Sequence, residues 1–432
     1  MTAPFRPGTV REATGGIVAL GLATFVAITT ELVPVGLLPL LSADLDVTES
    51  VAGLLVTAYA VMVAALAVPL TLGTARFPRK GLLLTTLVLY TVSNVLVAVA
   101  PTFGVVAAAR ALGGASHAVF FSVSIGYATR LVLPHLTGRA LSLVTAGAAV
   151  GFVLGVPLTT TLGTAIGWRP AFGVLAGACA LATVLIAFLL PPVPGGGAPP
   201  SDASSASRRS ALAVATTTNS LTYLGQYTVY TFVSLLLLGA GLQESALGPA
   251  LLVLGALGLV GTAFAAARLD HRPRRTTVVT LVAVLAGMLA TGLAFPGTVG
   301  VLVAIGVWSA GFGAVAPVFQ AAAVRAHGAS PDLTGALVNA SSNVGIGGGA
   351  ALGALVLAGS GLDVVPFVGA GIVAVALVVV LVARRTFPAA PTAVVTDAPV
   401  TGTAVADAAG ADAARADAAG AEVPSDREGP HA

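Results

Sequence analysis

The chain has 432 residues, of which 56% are hydrophobic and only 9% charged, with a formal net charge of +3; its mean hydropathy is +0.99. Soluble domains carry about 25% charged residues, so this composition excludes a soluble globular fold and describes a polytopic membrane protein. The basic residues are scattered over loops, which excludes a nucleic-acid-binding patch, and the single cysteine, Cys179, excludes an internal disulfide or a multi-cysteine metal site.

Apolar stretches of roughly 17–25 residues are long enough to cross a bilayer as helices. In chain order they predict twelve, at 15–39, 51–72, 81–100, 102–130, 139–163, 170–190, 211–238, 246–267, 276–295, 299–324, 333–357 and 364–383. The runs are continuous rather than alternating, which excludes a transmembrane barrel. The first run is too long for a cleavable signal peptide and leads straight into further spans. Residues 1–14 are then a short N-terminal segment and 15–190 a six-helix bundle. "PPVPGGGAPPSDASSASRRS" (191–210) reads as a Pro/Gly/Ser linker. Residues 211–385 form a second six-helix bundle, and the Ala/Asp-rich 386–432 are expected to be a disordered tail.

Lys and Arg mark the cytoplasmic side of a membrane protein. With the N-terminus placed inside, that side collects every basic residue of the chain except Arg169, on the other side, and Arg110, within a span. The opposite loops hold Asp44, Asp46, Glu49, Glu244 and Asp363. Both termini are therefore expected in the cytoplasm.

The two halves also read as copies. "ARFPRK" (75–80), with Arg76, Arg79 and Lys80, joins spans two and three; "DHRPRR" (270–275) joins spans eight and nine, 195 residues later. Span five carries Gly147, Gly151 and Gly155, and span eleven carries Gly345, Gly349 and Gly353, 198 residues later. Four-residue glycine spacing lets a neighbouring helix approach closely. Glycine abundance alone could produce either ladder but explains the shared offset poorly. Close packing at the interface between the halves is the expectation for Gly151 and Gly155.

The stretches "TELVPVGLLP" and "AGLLVTAYA" in spans one and two and "RALGGASHAVFFSV" (110–123) in span four resemble the major facilitator superfamily, and within it the drug:proton antiporter branch of arabinose-efflux-permease-like, chloramphenicol-resistance and purine-nucleoside efflux proteins. "GRALSLVTAGAAVGFVLGVPLTTTLGTAIGWRPAF" (138–172) is similar to the branch's glycine-proline motif, with Pro157 in place, and "NASSNVGIGGGAALG" (339–353) also matches. The resemblance covers residues 15–385 and implies two pseudo-symmetric six-helix bundles, an all-α architecture in which spans one, four, seven and ten line a central cavity. It further implies proton-coupled export by alternating access, at the bacterial inner membrane. The family's loop between spans two and three usually carries an Asp and a Gly where this chain has Ala75 and Pro78, so Asp-based gating is not expected in the first half; Asp270 stands in the second copy.

Three charge-bearing side chains lie within spans: Glu31, Arg110 and His117. An ionisable group in hydrocarbon costs at least a few kcal/mol, so each needs a partner or a task. Glu31 lies about 12 Å from the outer end of span one and Arg110 about 10 Å along span four at ~1.5 Å per residue, matching depths. His117 follows Arg110 by seven residues, on one helix face. The pair can be read as a fixed tether or as a water-accessible, proton-exchanging pair, and the second is adopted. His117 reads equally as a satisfied histidine or as a proton or solute ligand.

Span seven carries Asn219, Tyr223, Gln226 and Tyr230 on one stripe. Asn339, Ser342 and Asn343 form a patch on span eleven, while Gln320 and Asn94 stand alone. Such polar residues can glue helices, but on a cavity-lining helix solute contact is the expectation, and neutral groups suit an uncharged or zwitterionic solute. No P-loop, HExxH or nucleophile elbow is present, so no enzyme activity, cofactor or metal is expected. The expected partners are a small-molecule solute, protons and the lipid bilayer, with the chain acting as a monomer. An importer, or a sensor or scaffold that moves nothing, is the alternative.

Overall fold

A computed structural model describes residues 9, 12–74, 76–133, 136–193 and 205–389. Twelve helical stretches in it are long and apolar enough to cross a membrane. A backbone in hydrocarbon must satisfy its own hydrogen bonds, and continuous helices do so.

The first half comprises α1 (Thr14–Asp44), α2 (Glu49–Gly73), α3 (Arg79–Ala98) and α4 (Phe103–Leu131). Span five follows as α5 (Thr137–Val150), one π turn (Gly151–Gly155) and α6 (Val156–Ile166), and span six is α7 (Trp168–Leu189). In the second half, span seven is broken into α8 (Ala206–Tyr230) and α9 (Val233–Gly239). Next come α10 (Glu244–Arg268) and α11 (Pro273–Ala294), then span ten as α12 (Thr298–Phe312) and α13 (Val315–Ala326). Spans eleven and twelve are α14 (Pro331–Ser360) and α15 (Val365–Val382).

Two boundaries differ from the sequence reading. Ser205 caps α8 by accepting the Arg208 amide, so 206–210 of the expected linker are already helical. At the other end Phe387 is buried against Phe319 and Pro388 O accepts the Arg274 amide, so the first residues of the expected tail belong to the bundle. Most of the expected linker (194–204) and tail (390–432) lies outside the described residues, as do most of 1–14 and Ala75.

Helix pairings repeat between the halves. In the first, α1 packs on α5 and α7, α2 on α4, and α3 on α4 and α7; in the second, α8 packs on α14 and α15, α10 on α12, and α11 on α12 and α15. The seams between halves obey the same exchange, α2 against α14 and α10 against α6. The repeated loop is built twice as well. The Arg79 amide donates to Val193 O, and the Arg274 amide donates to Pro388 O, donor and acceptor both shifted by 195. Lys80 Nζ caps the end of span six through Ala187 O (2.8 Å) and Leu190 O (2.6 Å), and Arg274 Nη2 serves span twelve through Leu381 O (2.5 Å). Cations at helix C-termini also complement the helix dipole. Arg76 lies over the Phe77 ring instead.

The span-five glycine ladder does not lie where it was expected. Side chains at Gly147 and Gly151 would meet Gly21, Phe25 and Ile28, and one at Gly155 would meet Thr29, all on α1. Gly345, Gly349 and Gly353 back onto α8 from Ser220 to Thr228 in the same way. Both ladders therefore close a contact inside one half. In span five the ladder ends in one π turn, Gly151–Gly155, ahead of Pro157, whereas in span eleven it runs along continuous α-helix. The glycines at the seams are others: Gly255 lies on Val153 and Gly347 on Ala60.

Candidate functional site

The site is built around two prolines of α1. Pro34 and Pro39 sit inside the helix, and a proline there removes the amide that would bond the carbonyl four residues back. The orphaned acceptors are Thr30 O and Val35 O, deep in the protein, where an unsatisfied carbonyl costs about 1–3 kcal/mol. Each takes a side chain from another helix. Arg110 of α4 donates to Thr30 O and, through Nη2, to Glu31 O at 2.7 Å. Ser234 of α9 donates to Val35 O at 2.6 Å, across the two halves.

This corrects one expectation. The Arg110 guanidinium grips the α1 backbone and stacks over the Tyr59 ring at 4.4 Å, rather than meeting the Glu31 carboxylate. His117 stands against that carboxylate, with Nε2 3.8 Å from Oε2. The other imidazole nitrogen, Nδ1, lies 2.8 Å from the Tyr59 hydroxyl, which is 3.5 Å from the Tyr90 hydroxyl. Glu31, Arg110 and His117 are 5%, 1% and 2% exposed, so this conformer is closed around them. Phe121 covers the imidazole, with ring centroids 4.8 Å apart.

A second layer fixes these groups. Asn94 Nδ2 donates to Thr30 Oγ1 (3.1 Å) and Tyr90 O (3.0 Å), Ser93 to Ala109 O and Ser116 to Thr86 O. The three charge-bearing residues seen in the sequence are thus brought together. Tyr59, Tyr90, Asn94 and Ser234 were missed as members of the site. Tyr59 stands inside the "AGLLVTAYA" stretch, and the prolines four residues after Thr30 and Val35 mark the orphaned carbonyls, but no local pattern names the donors.

In the second half, Tyr223 and Tyr227 lie buried on α8. Asn219 Nδ2 donates to the hydroxyls of Ser341 and Ser342, each at 2.9 Å, and Gln226 Oε1 accepts Trp308 Nε1 at 2.5 Å. Tyr223 stacks on Tyr227, and Tyr230 meets Trp308 edge-on. Asn343 Nδ2 bonds Asn339 O (3.1 Å) and Oδ1 (3.2 Å), and Asn343 also lines a concavity of about 370 Å³ at the seam of α2 and α14. In this conformer the stripe residues therefore bond other helices of their own half. Among the described residues no His/Cys/Asp/Glu group could hold a metal ion.

Residues 20–336 match the Major Facilitator Superfamily. The chain is 32% identical over 397 residues to a chloramphenicol efflux pump of Mycobacterium tuberculosis strain H37Rv, spanning 88% of this chain and 95% of the pump. It is 30% identical over 375 residues to the inner membrane transport protein YdhP of Escherichia coli K12, spanning 86% and 96%. A probable sugar efflux transporter of Mannheimia succiniciproducens is 28% identical over 365 residues, spanning 84% and 92%. Among solved structures, the D-xylose–proton symporter shares the fold with a TM-score of 0.68 at 15% identity, over 88% of this chain and 98% of that one. Twelve spans, paired twice in one pattern around buried charges, and these likenesses together place the chain in the Major Facilitator Superfamily, as a multi-pass membrane transporter.

Proposed function

We propose that the chain is a proton-coupled efflux transporter, exchanging protons for a small polar or amphiphilic solute such as a sugar, nucleoside or drug by alternating access. The observation that carries this reading is the buried contact between Glu31 and His117, which holds the one carboxylate lying within the spans against a titratable base. The names of the relatives, efflux pumps for chloramphenicol and sugars, support the direction and the solute class.

The geometry supports a specific proton path. With Glu31 ionised, His117 presents Nε2–H to it and accepts the Tyr59 hydroxyl at Nδ1. A proton arriving on the pair either neutralises the carboxylate or makes His117 a donor at both nitrogens, which turns the Tyr59 hydroxyl toward Tyr90. The direct gap of 3.8 Å exceeds hydrogen-bond length, so transfer needs the two helices to close or a bridging group. Arg110 fixes the carboxylate's backbone in either state. On the other half, Asn219, Tyr223, Gln226, Tyr230, Asn339 and Asn343 are the solute-contacting groups, giving up their present partners when the cavity opens. The seam glycines let the halves rock as bodies.

Everted membrane vesicles test this reading. A panel of amphenicols, sugars and nucleosides is offered with the lumen acidified. Accumulation of one class, collapsing with the proton gradient, is expected. Equal accumulation with and without the gradient would contradict it.

A further inference from the structure

We propose that the concavity between α10 and α11 at the basic end of the bundle holds the phosphate headgroup of an anionic phospholipid. The concavity, of about 100 Å³, is lined by Arg268, Arg272 and Arg275 together with Phe264, Thr276 and Val279. None of these three guanidinium groups makes a hydrogen bond, ion pair or ring contact with another described residue, and all three are exposed. Thr276 turns its hydroxyl to Arg272 O at 2.9 Å, and the nearby Asp270 carboxylate is engaged by Arg325 at 3.1 Å. The positive charge in the concavity is therefore uncompensated.

The fold does not require that charge. The loop is built twice, and 195 positions earlier stand Gly73, Phe77 and Lys80. Lys80 is consumed in capping span six. In the second copy Arg274 does the capping, which leaves Arg275 free. Two arginines in place of Gly73 and Phe77, beside a released third, make a cationic cup that the first half lacks.

The walls decide between a lipid phosphate and a free one. One helix face of α10 runs Arg268, Phe264, Val260, in steps of four; one face of α11 runs Arg275, Val279, Val282. Val260, Val279 and Val282 are 59%, 43% and 45% exposed. Each face passes from guanidinium to open apolar surface along the direction into the membrane, the profile of a headgroup with its acyl chains. A free anion would use the cup and leave the trench empty.

The full chain, taken from vesicles of mixed phosphatidylglycerol and phosphatidylcholine, is examined by native mass spectrometry for retained lipid. Basic residues at a membrane surface each contribute about 1 kcal/mol toward anionic lipid. Arg268→Gln alone is expected to lower the phosphatidylglycerol preference about fivefold, and the triple change with Arg272→Gln and Arg275→Gln by more than about tenfold. Arg384→Gln with Arg385→Gln, which removes two exposed arginines that line no concavity, is expected to leave the preference unchanged. An equal fall in that control, an unchanged preference in the triple variant, or displacement of the lipid by excess inorganic phosphate would each overturn the assignment.

Discussion

Arg110 shows why a buried charge must be placed by its donors rather than by its sign. Its five N–H groups form a planar fork, and two of its nitrogens reach adjacent carbonyls of α1, one of them orphaned by Pro34. A lysine keeps the charge but is a point donor on a flexible stem. Arg110→Lys is therefore expected to fold and to lose most transport, while Arg110→Ala, which abandons both carbonyls, should cost about 3 kcal/mol of stability. Thermal unfolding in detergent beside transport in vesicles separates the two, and wild-type transport by Arg110→Lys would show that charge alone suffices. The sequence made Glu31, Arg110 and His117 visible because charge is rare in a span. It could not say that Arg110 bonds the α1 carbonyls while His117 stands against the carboxylate, because depth along two helices fixes height, not azimuth. His117, seven residues further along α4, proved the nearer partner.

Proline positions carry the same lesson among helices. Pro39 frees Val35 O, and Ser234, 199 residues away in the chain, supplies the donor. No periodicity links these two, since the contact exists only once α9 lies against α1. Around it Leu38, Ala52, Phe232, Leu235 and Ala354 form a small core shared by both halves at the end opposite the basic loops. A ring edge of Phe232 lies 2.7 Å from where a side chain on Gly53 would begin, and 2.8 Å from one on Gly353. Ser234→Ala removes a bond that joins the halves in this closed arrangement, worth about 1 kcal/mol. The open state should gain about fivefold, read as faster thiol labelling of Leu38→Cys in a Cys179→Ser background. An unchanged labelling rate would mean that the bond survives opening. The glycine ladders were equally visible and equally incomplete: spacing announced a smooth face but not which helix it would meet.

At the scale of the molecule, most of the architecture was legible. Span count came from unbroken apolar runs, which only a membrane chain contains, and duplication came from the 195-residue offset that the Arg79 and Arg274 amides now repeat in three dimensions. The breaks within spans seven and ten and the π turn in span five were not legible; in span ten the neighbouring helix serves a freed carbonyl, Thr262 of α10 bonding Gly313 O at 2.9 Å, ahead of Pro317. Two six-helix halves meeting at seams that carry glycines, with a buried acid–imidazole contact, suit a carrier whose two access states differ in the charge of that contact. The central claim is that Glu31 carries the coupled proton. Glu31→Gln, purified and placed in proteoliposomes, tests it most directly, because the amide keeps the shape of the protonated acid and cannot release a proton. Solute exchange down its own gradient is expected to continue near the wild-type rate, while transport driven uphill by a pH gradient disappears; undiminished uphill transport by Glu31→Gln would contradict the account.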